Sequence, residues 1–99
     1  MKIEKTVNEE AVVLTFPEGY ASGVLTEELK EIDLEKLERN TLIVDFSNTT
    51  HIGSLIFGWL SKVYKTLKKD NKKAIIVGNK KVDKIFEQMG FIRYFKIIK

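Results

Sequence analysis

Residues 42–67 constrain the fold more than any other part of the chain. They begin with a short apolar run at 42–46, which has the length and composition of a buried β-strand. Polar turn residues follow, and Gly53 separates them from a second apolar pattern. That pattern has the period of an α-helix: Ile56, Leu60, Val63 and Leu67. Ser54 is therefore predicted at the start of a helix, where backbone N–H groups point outward and the helix dipole is positive.

Size and composition exclude several classes of protein. The chain has 99 residues and is 43% hydrophobic, which is enough for one domain spanning 1–99. It has no cysteine and one histidine, so we expect no disulfide, no thiol chemistry and no metal site. No apolar run reaches the length of a membrane span, and residues 1–5 lack the apolar core of a signal peptide. We therefore expect a cytoplasmic protein without a cofactor.

The charges are distributed unevenly along the chain. Residues 1–60 carry 5 basic and 11 acidic side chains, whereas residues 61–99 carry 12 basic and 3 acidic ones. The basic half is either a face for an acidic partner or nucleic acid, or a set of solvated lysines on exposed helices. We favour solvated lysines, because Arg39 and Arg93 are the only arginines and base-edge recognition favours arginine. The sequence thus predicts no specific nucleic-acid binding.

Periodicity and turn residues predict a mixed α/β order for the whole chain. Strands are predicted at 2–6, 11–16, 42–46, 74–77 and 94–98, and helices at 26–37, 54–69 and 81–89. A turn at 8–10 joins the first two strands, Asp33 can kink or break the first helix, and Gly90 ends the last. Strand–helix alternation from residue 42 onward predicts right-handed parallel crossovers behind an N-terminal hairpin. The expected architecture is α/β, with a mixed sheet of four to five strands packed with three to four helices.

The strand–turn–helix segment resembles the central motif of STAS domains, the family shared by sulphate transporter tails and bacterial anti-sigma factor antagonists. Residues 45–47 match the Asp-apolar-Ser strand end of that motif. Ser54 aligns with the serine that is phosphorylated in the antagonists, and Gly58 aligns with a glycine within the helix. The resemblance spans residues 11–98 and includes the strand, helix, glycine and aromatic-rich ending of the family. It implies a STAS-like domain that is not an enzyme.

The resemblance also implies a partner and a switch. The protein would bind an anti-sigma factor with serine kinase activity and be released by phosphorylation at Ser54, as a monomer or weak dimer without a membrane span. Where the family motif has Asp-Ser-Ser-Gly, this chain has Gly-Ser-Leu-Ile at 53–56, so the hydroxyl is retained and the acid is lost. Two alternatives stay open: a phosphorylation-independent scaffold or complex subunit, and a small-molecule or nucleotide-binding module. From its residue type alone, Ser54 is interpreted as a helix N-cap, and it is the resemblance that favours phosphorylation.

A helical wheel indicates which residues of this helix would face a partner. Leu55 falls with Ser54, Gly58 and Lys62 on the polar arc, and Trp59 lies at its border. Leu55 and Trp59 are either an anchor pair for a partner, or an isolated surface leucine beside a core tryptophan. Tyr20 belongs to the loop that borders this serine in the family. The predicted partner-binding set is Gly53, Ser54, Leu55, Gly58, Trp59, Lys62, Tyr20 and Thr50.

Two further polar residues in the segment have structural explanations. His51 is predicted as a turn histidine with a solvated ring rather than a catalytic base, because the sequence shows no constellation around it. Asp45, at the end of the predicted strand, is expected to hydrogen-bond to the turn at 47–50.

Overall fold

The computed structural model of the protein describes residues 3–21, 25–93 and 95–98. Strands β1 (Glu4–Val7) and β2 (Val12–Thr15) form the predicted antiparallel hairpin. The Asn8 Oδ1 atom accepts hydrogen bonds from the backbone N–H groups of Glu10 and Ala11, each at 2.8 Å. These bonds confirm the predicted turn at 8–10. Lys2, which was included in the first predicted strand, lies outside the described residues.

Five strands form the main sheet. Strands β4 (Thr41–Asp45), β6 (Lys73–Val77) and β7 (Lys96–Ile98) join the hairpin in the order β1-β2-β4-β6-β7. The pairs β2–β4, β4–β6 and β6–β7 are parallel, so β4 is central and the sheet is mixed. This arrangement confirms the predicted α/β fold, with a hairpin followed by parallel strand–helix units.

A second, two-stranded sheet was not predicted. Strands β3 (Gly19–Ala21) and β5 (Thr49–Ile52) pair in parallel beside the main sheet. The predicted turn after β4 is therefore confined to Ser47 and Asn48. The Thr49 side chain is fully buried and its hydroxyl donates to the Pro17 carbonyl oxygen at 3.1 Å. This contact helps to fix β5 against the segment that precedes β3.

Three α-helices lie within the described residues: α1 (Thr26–Lys30), α2 (Ser54–Lys69) and α3 (Lys80–Gln88). The bounds of α2 are those predicted from the apolar period. A continuous α-helix over 26–37 is wrong, but the predicted break at Asp33 is confirmed: α1 ends at Lys30, and a short 3-10 helix, Leu34–Lys36, follows. The Asp33 carboxylate accepts a hydrogen bond from the Glu35 N–H at 3.1 Å and caps that 3-10 helix. Aspartate favours such caps over helix interiors, which explains the break.

The C-terminal part ends in a short strand. Gly90 has a φ of 77°, the left-handed conformation in which glycine commonly ends a helix, so its predicted role after α3 is confirmed. A 3-10 helix, Phe91–Arg93, then leads toward β7. The last strand begins at Lys96, later than predicted, and Tyr94 lies outside the described residues.

One face of the main sheet and the helices enclose the core. Buried residues alternate with partly exposed ones along β2 and β4, so each strand turns one face toward the helices. Phe46 lies at the centre of an aromatic group, with ring centroids 4.5 Å from Phe16 and 5.7 Å from Phe86. Among the described residues, no helix combines the length and apolar character needed to cross a bilayer.

The β1 edge of the sheet is polar except for Val7. All four of its side chains are exposed, and Lys5 Nζ lies 2.8 Å from Glu38 Oε2. The hydrogen bond from Lys5 lowers the pKa of Glu38. Because both side chains are exposed to solvent, the pair contributes little to stability. Charged side chains on an edge strand do, however, discourage pairing with another sheet.

Candidate functional site

Ser54 is the first residue of α2, and Gly53 is its N-cap. The Gly53 N–H donates to the Ala21 carbonyl oxygen at 2.8 Å, and the Gly53 carbonyl accepts from the Ile56 N–H at 3.0 Å. The backbone of Gly53 thus joins the small sheet to the start of α2. The alternative in which Ser54 is the N-cap is wrong, because Ser54 lies inside the helix, with its side chain exposed.

The start of α2 is electrostatically open to a negative group. It has no side-chain cap and no acidic residue in its first turn. By contrast, α1 has Glu27 and Glu28 in its first turn, and α3 has the Asn79 cap and Asp83. The first N–H groups of a helix have no partner within that helix, and the dipole is positive there. A negative group on Ser54 would gain about 0.3–1 kcal/mol at this position.

The exposed surface of α2 next to Ser54 combines one apolar side chain with a flat region. Leu55 is 62% exposed, and Gly58 and Lys62 are also exposed. A Cβ atom built on Gly58 would meet nothing within 4 Å, so packing among the described residues gives no reason for a glycine. From Ser54 to Lys62 this surface extends about 12 Å along the helix. We call the surface formed by Ser54, Leu55, Gly58 and Lys62 the α2 face.

Trp59 is not exposed on the α2 face. Its side chain is only 9% exposed, and its ring centroid lies 5.8 Å from that of Phe16. Of the two interpretations of the Leu55–Trp59 pair, the structure therefore agrees with the isolated surface leucine beside a core tryptophan. The wheel left Trp59 at the border because it describes α2 alone, whereas Phe16 follows β2 and extends the core toward that side of the helix.

Tyr20 and Thr50 lie on the small sheet that precedes α2. The register pairs Tyr20 with His51 and Ala21 with Ile52, so the backbone of Tyr20 runs beside the strand that leads into Ser54. Thr50 is partly exposed and lines a groove between β5 and α3, together with Lys80 and Lys81. The structure thus brings the Tyr20 backbone to the border of the site, but it places Thr50 toward α3.

The two polar residues with predicted structural roles differ in outcome. Asp45 Oδ1 accepts a hydrogen bond from the Ser47 N–H at 2.8 Å, which confirms its role in the turn. His51 lies on β5, so its assignment to a turn is wrong, although its predicted exposure is confirmed. The His51 Nδ1 atom lies 3.3 Å from the Thr50 hydroxyl.

Asn79 positions the segment before Ser54, and sequence reasoning missed this role. Its Oδ1 atom accepts from the N–H groups of Lys81 and Val82, at 2.9 and 3.2 Å, and so caps α3. Its Nδ2 atom donates to three carbonyl oxygens, at 3.1, 3.0 and 2.8 Å: those of Phe46, Ser47 and Thr49. One side chain therefore ties the start of α3 to the turn between β4 and β5. Asparagine directly before a helical pattern is a signal for the cap, but not for the three carbonyl contacts.

Replacing Asn79 should loosen this turn. Asn79→Ala removes the cap and the amide donor together, and we expect the free energy of unfolding to fall by about 2–4 kcal/mol. Asn79→Ser restores a cap acceptor but cannot reach the three carbonyl oxygens, so it should recover only about 1 kcal/mol of that loss. Urea denaturation of the three proteins measures both differences. Full recovery by the serine variant would show that the carbonyl contacts contribute nothing.

Known proteins share the sequence pattern and the fold of this chain. The sequence profile of the STAS domain family matches residues 2–99. A Thermotoga maritima protein, described as a candidate anti-sigma factor antagonist, has a similar crystal structure, with a TM-score of 0.83 and 19% identity over 98% of this chain and 86% of that one. The unphosphorylated anti-sigma factor antagonist SpoIIAA gives a TM-score of 0.79 and 17% identity, over 98% and 88% of the two chains. The phosphorylated form of the Bacillus protein SpoIIAA gives 0.69 and 14%, over 98% and 91%.

No curated protein sequence matches this chain significantly. At such low identities the structural likeness concerns the fold, in which a mixed five-stranded sheet is packed with helices. The profile match adds the sequence pattern itself and extends over nearly the whole chain. On these two grounds, the protein belongs to the STAS domain family.

Proposed function

We propose that this protein is a non-enzymatic anti-sigma factor antagonist that binds an anti-sigma factor with serine kinase activity. It binds through the α2 face, and phosphorylation of Ser54 releases it. The observation that carries the proposal is the exposed Ser54 hydroxyl in the first turn of α2, directly beside exposed Leu55 and uncovered Gly58. The STAS fold and the likeness to SpoIIAA, a protein with unphosphorylated and phosphorylated forms, support it.

Leu55 supplies the apolar contact in this proposal. It is the most exposed of the large hydrophobic residues in the described part of the chain, and it follows Ser54 directly. Complete burial of a leucine side chain contributes about 1.5–3 kcal/mol, and the partner would bury the part that is now exposed. The same contact would bring the partner against the Ser54 hydroxyl, so a phosphate there would interfere with docking.

Gly58 lets the partner approach the α2 backbone. A glycine in a helix interior costs about 1 kcal/mol relative to alanine, and no contact with the described residues offsets this cost at Gly58. Close approach of a second backbone is a common reason for glycine at such a position. Close contact of a partner atom with Gly58 would therefore explain a glycine at this position of the helix.

Gly58→Ala should have opposite effects on folding and on binding. We expect the free energy of unfolding to rise by about 0.5–1 kcal/mol, because alanine has the higher helix propensity. Affinity for the anti-sigma partner should fall, because the added methyl group occupies the space where the partner approaches. Thermal melts and calorimetric titration measure the two effects. Thr66→Ala, about 12 Å further along α2, is the control: it also favours the helix but should leave affinity unchanged. Unchanged affinity for Gly58→Ala would remove Gly58 from the interface.

The identity of residue 53 favours a second candidate function. The STAS motif has an acidic residue before the serine, whereas this chain has Gly53 as the N-cap of α2. A kinase that reads that acid would not recognise this serine. The second candidate is a scaffold or complex subunit that uses the same α2 face without phosphorylation.

Phosphorylation by candidate partners separates the two functions. The protein and its Ser54→Ala variant are incubated with each candidate anti-sigma kinase and ATP, and mass spectrometry locates the phosphate. Phosphate on Ser54 of the wild type, and none on the variant, is the result that we expect. If a partner binds the protein but leaves Ser54 unmodified, the scaffold is correct and the switch is wrong.

A further inference from the structure

A second concave surface lies at the opposite end of α2 from Ser54. It is a groove of about 460 Å³ between the last turns of α2, the turn that follows, and the first residues of β6 and β7. We call it the lysine groove, because four lysines line it together with Tyr64 and aliphatic side chains: Lys68, Lys72, Lys73 and Lys96. Ser54 and Tyr64, the first residue of α2 that lines the groove, are about 15 Å apart along the helix, so the groove does not include Ser54. We propose that the lysine groove binds a compact polyvalent phosphate group.

The fold fixes the positions of these four lysines. Asn71 has a φ of 58°, and its left-handed conformation ends α2 and reverses the chain. The Asn71 N–H donates to the Lys68 carbonyl at 3.1 Å, and the Lys72 N–H donates to the Leu67 carbonyl at 2.8 Å. Lys96 enters from β7, where the parallel register pairs it with Ile75 of β6. Backbone hydrogen bonds from separate elements therefore bring the four backbone positions together.

The groove carries positive charge without compensation from its own walls. Within the described part of the chain, no acidic residue lines it, and none of its lysines forms an ion pair. Lys68 Nζ instead donates to the Tyr64 hydroxyl at 3.1 Å and lies 5.4 Å from the centre of that ring. Like charges around one cavity repel one another, and a bound anion relieves this repulsion. An anion should therefore bind and also raise thermal stability.

A second groove with several lysines differs from the lysine groove, because acidic residues also line it. The groove between β5 and α3 contains three lysines, but Asp83 and Glu87 also line it. Those acidic residues reduce the local positive charge. The groove between β5 and α3 can therefore serve as a control for the lysine groove, since the two have similar numbers of lysines. The three lysines of this groove are Lys80, Lys81 and Lys84.

The side chains in the lysine groove favour phosphate over carboxylate. Lysine binds as a compact point charge with three donors, which suits phosphate oxygens from several directions. Planar two-point recognition of an anion favours arginine, and among the described residues no arginine lines the groove, so the lysines bind as point charges, as they do in known phosphate sites. The volume is that of a small-ligand site rather than of a long polymer track. A polyphosphate chain or a multiply phosphorylated headgroup shares the required chemistry.

Calorimetric titration with inorganic triphosphate at constant ionic strength tests the proposal. We expect one triphosphate to bind per chain and the double variant Lys72→Gln/Lys96→Gln to bind about tenfold more weakly. The control Lys80→Gln/Lys84→Gln loses the same charge from the other groove and should stay within about twofold of wild type. Thermal melts establish that both variants are folded. In NMR spectra, triphosphate should shift the amide signals of Lys72 and Ile75 and leave those around Ser54 unchanged.

Further ligands distinguish the sources of phosphate and the competing classes of ligand. Phosphatidylcholine vesicles with and without phosphatidylinositol bisphosphate separate a lipid headgroup from free polyphosphate, and binding of either source through Lys72 and Lys96 supports the site. Equal loss of triphosphate affinity in both double variants would mean general charge attraction and would overturn it. Hexaglutamate or a short single-stranded DNA binding more tightly than triphosphate would also overturn it. Because triphosphate binding is measured without the anti-sigma partner, its failure leaves the proposed function untouched.

Discussion

Ser54→Asp should strongly weaken binding to the anti-sigma partner and leave the domain folded. The carboxylate lies at the positive end of α2, where it gains about 0.3–1 kcal/mol, so stability should stay equal or rise slightly. In the complex the same charge loses its water and has no partner, which costs about 2–5 kcal/mol. The second effect is larger, so affinity should fall by at least about thirtyfold.

Calorimetric titration and thermal melts of matched variants test this expectation. Ser54→Ala should bind like the unmodified protein, because it adds neither charge nor volume. Ser47→Asp is the control for charge, since Ser47 is exposed in the turn after β4 and lies outside the α2 face. Equal affinities of wild type, Ser54→Ala and Ser54→Asp would exclude the switch. An aspartate variant that melts below the assay temperature would show that Ser54 has only a structural role.

Leu55→Asp should be almost as damaging to binding and equally harmless to folding. Because Leu55 is 62% exposed, its replacement removes few contacts within the protein, and the melting temperature should change little. In the complex, the variant loses up to about 1.5–3 kcal/mol of apolar burial and must also bury a carboxylate. We expect partner affinity to fall by at least about tenfold.

Val7→Asp provides the matched control for Leu55→Asp. Val7 is 40% exposed on β1, away from α2, and its replacement makes the same change from an apolar to a charged side chain. It should leave partner affinity unchanged. If Leu55→Asp unfolds the protein while Val7→Asp does not, Leu55 belongs to the core and is not part of the α2 face.

Local patterns predict the elements whose stability depends on their own sequence. The period of α2 and the Gly53 break before it determine both ends of that helix. The small sheet escaped prediction, because β3 is only three residues long and forms through its pairing with β5. The β-branched residues Thr49, Thr50 and Ile52 were a usable signal for β5, but the polar character of the segment led to a turn.

In the candidate site, too, local features could be predicted from the sequence, whereas contacts between distant residues could not. The α2 wheel correctly placed Leu55 and Lys62 on the exposed side, because exposure along an amphipathic helix follows its period. The burial of Trp59 depends on Phe16, which lies far away in sequence and reaches α2 only through the fold. The contacts of Asn79 are harder still to predict, because its three acceptors are backbone carbonyl oxygens, which every residue possesses.

The strand order has a consequence for synthesis of the protein. Central β4 pairs with β2 and β6, and in both pairs the partner residues are about thirty positions apart, so folding requires two long loop closures. On the ribosome, β2 is available as soon as β4 emerges, whereas β6 and Asn79 are made only after α2. A nascent chain ending within α2 therefore contains Ser54 but lacks the side chain that holds the preceding turn. We expect the partner to recognise the released chain and to ignore the unfinished one.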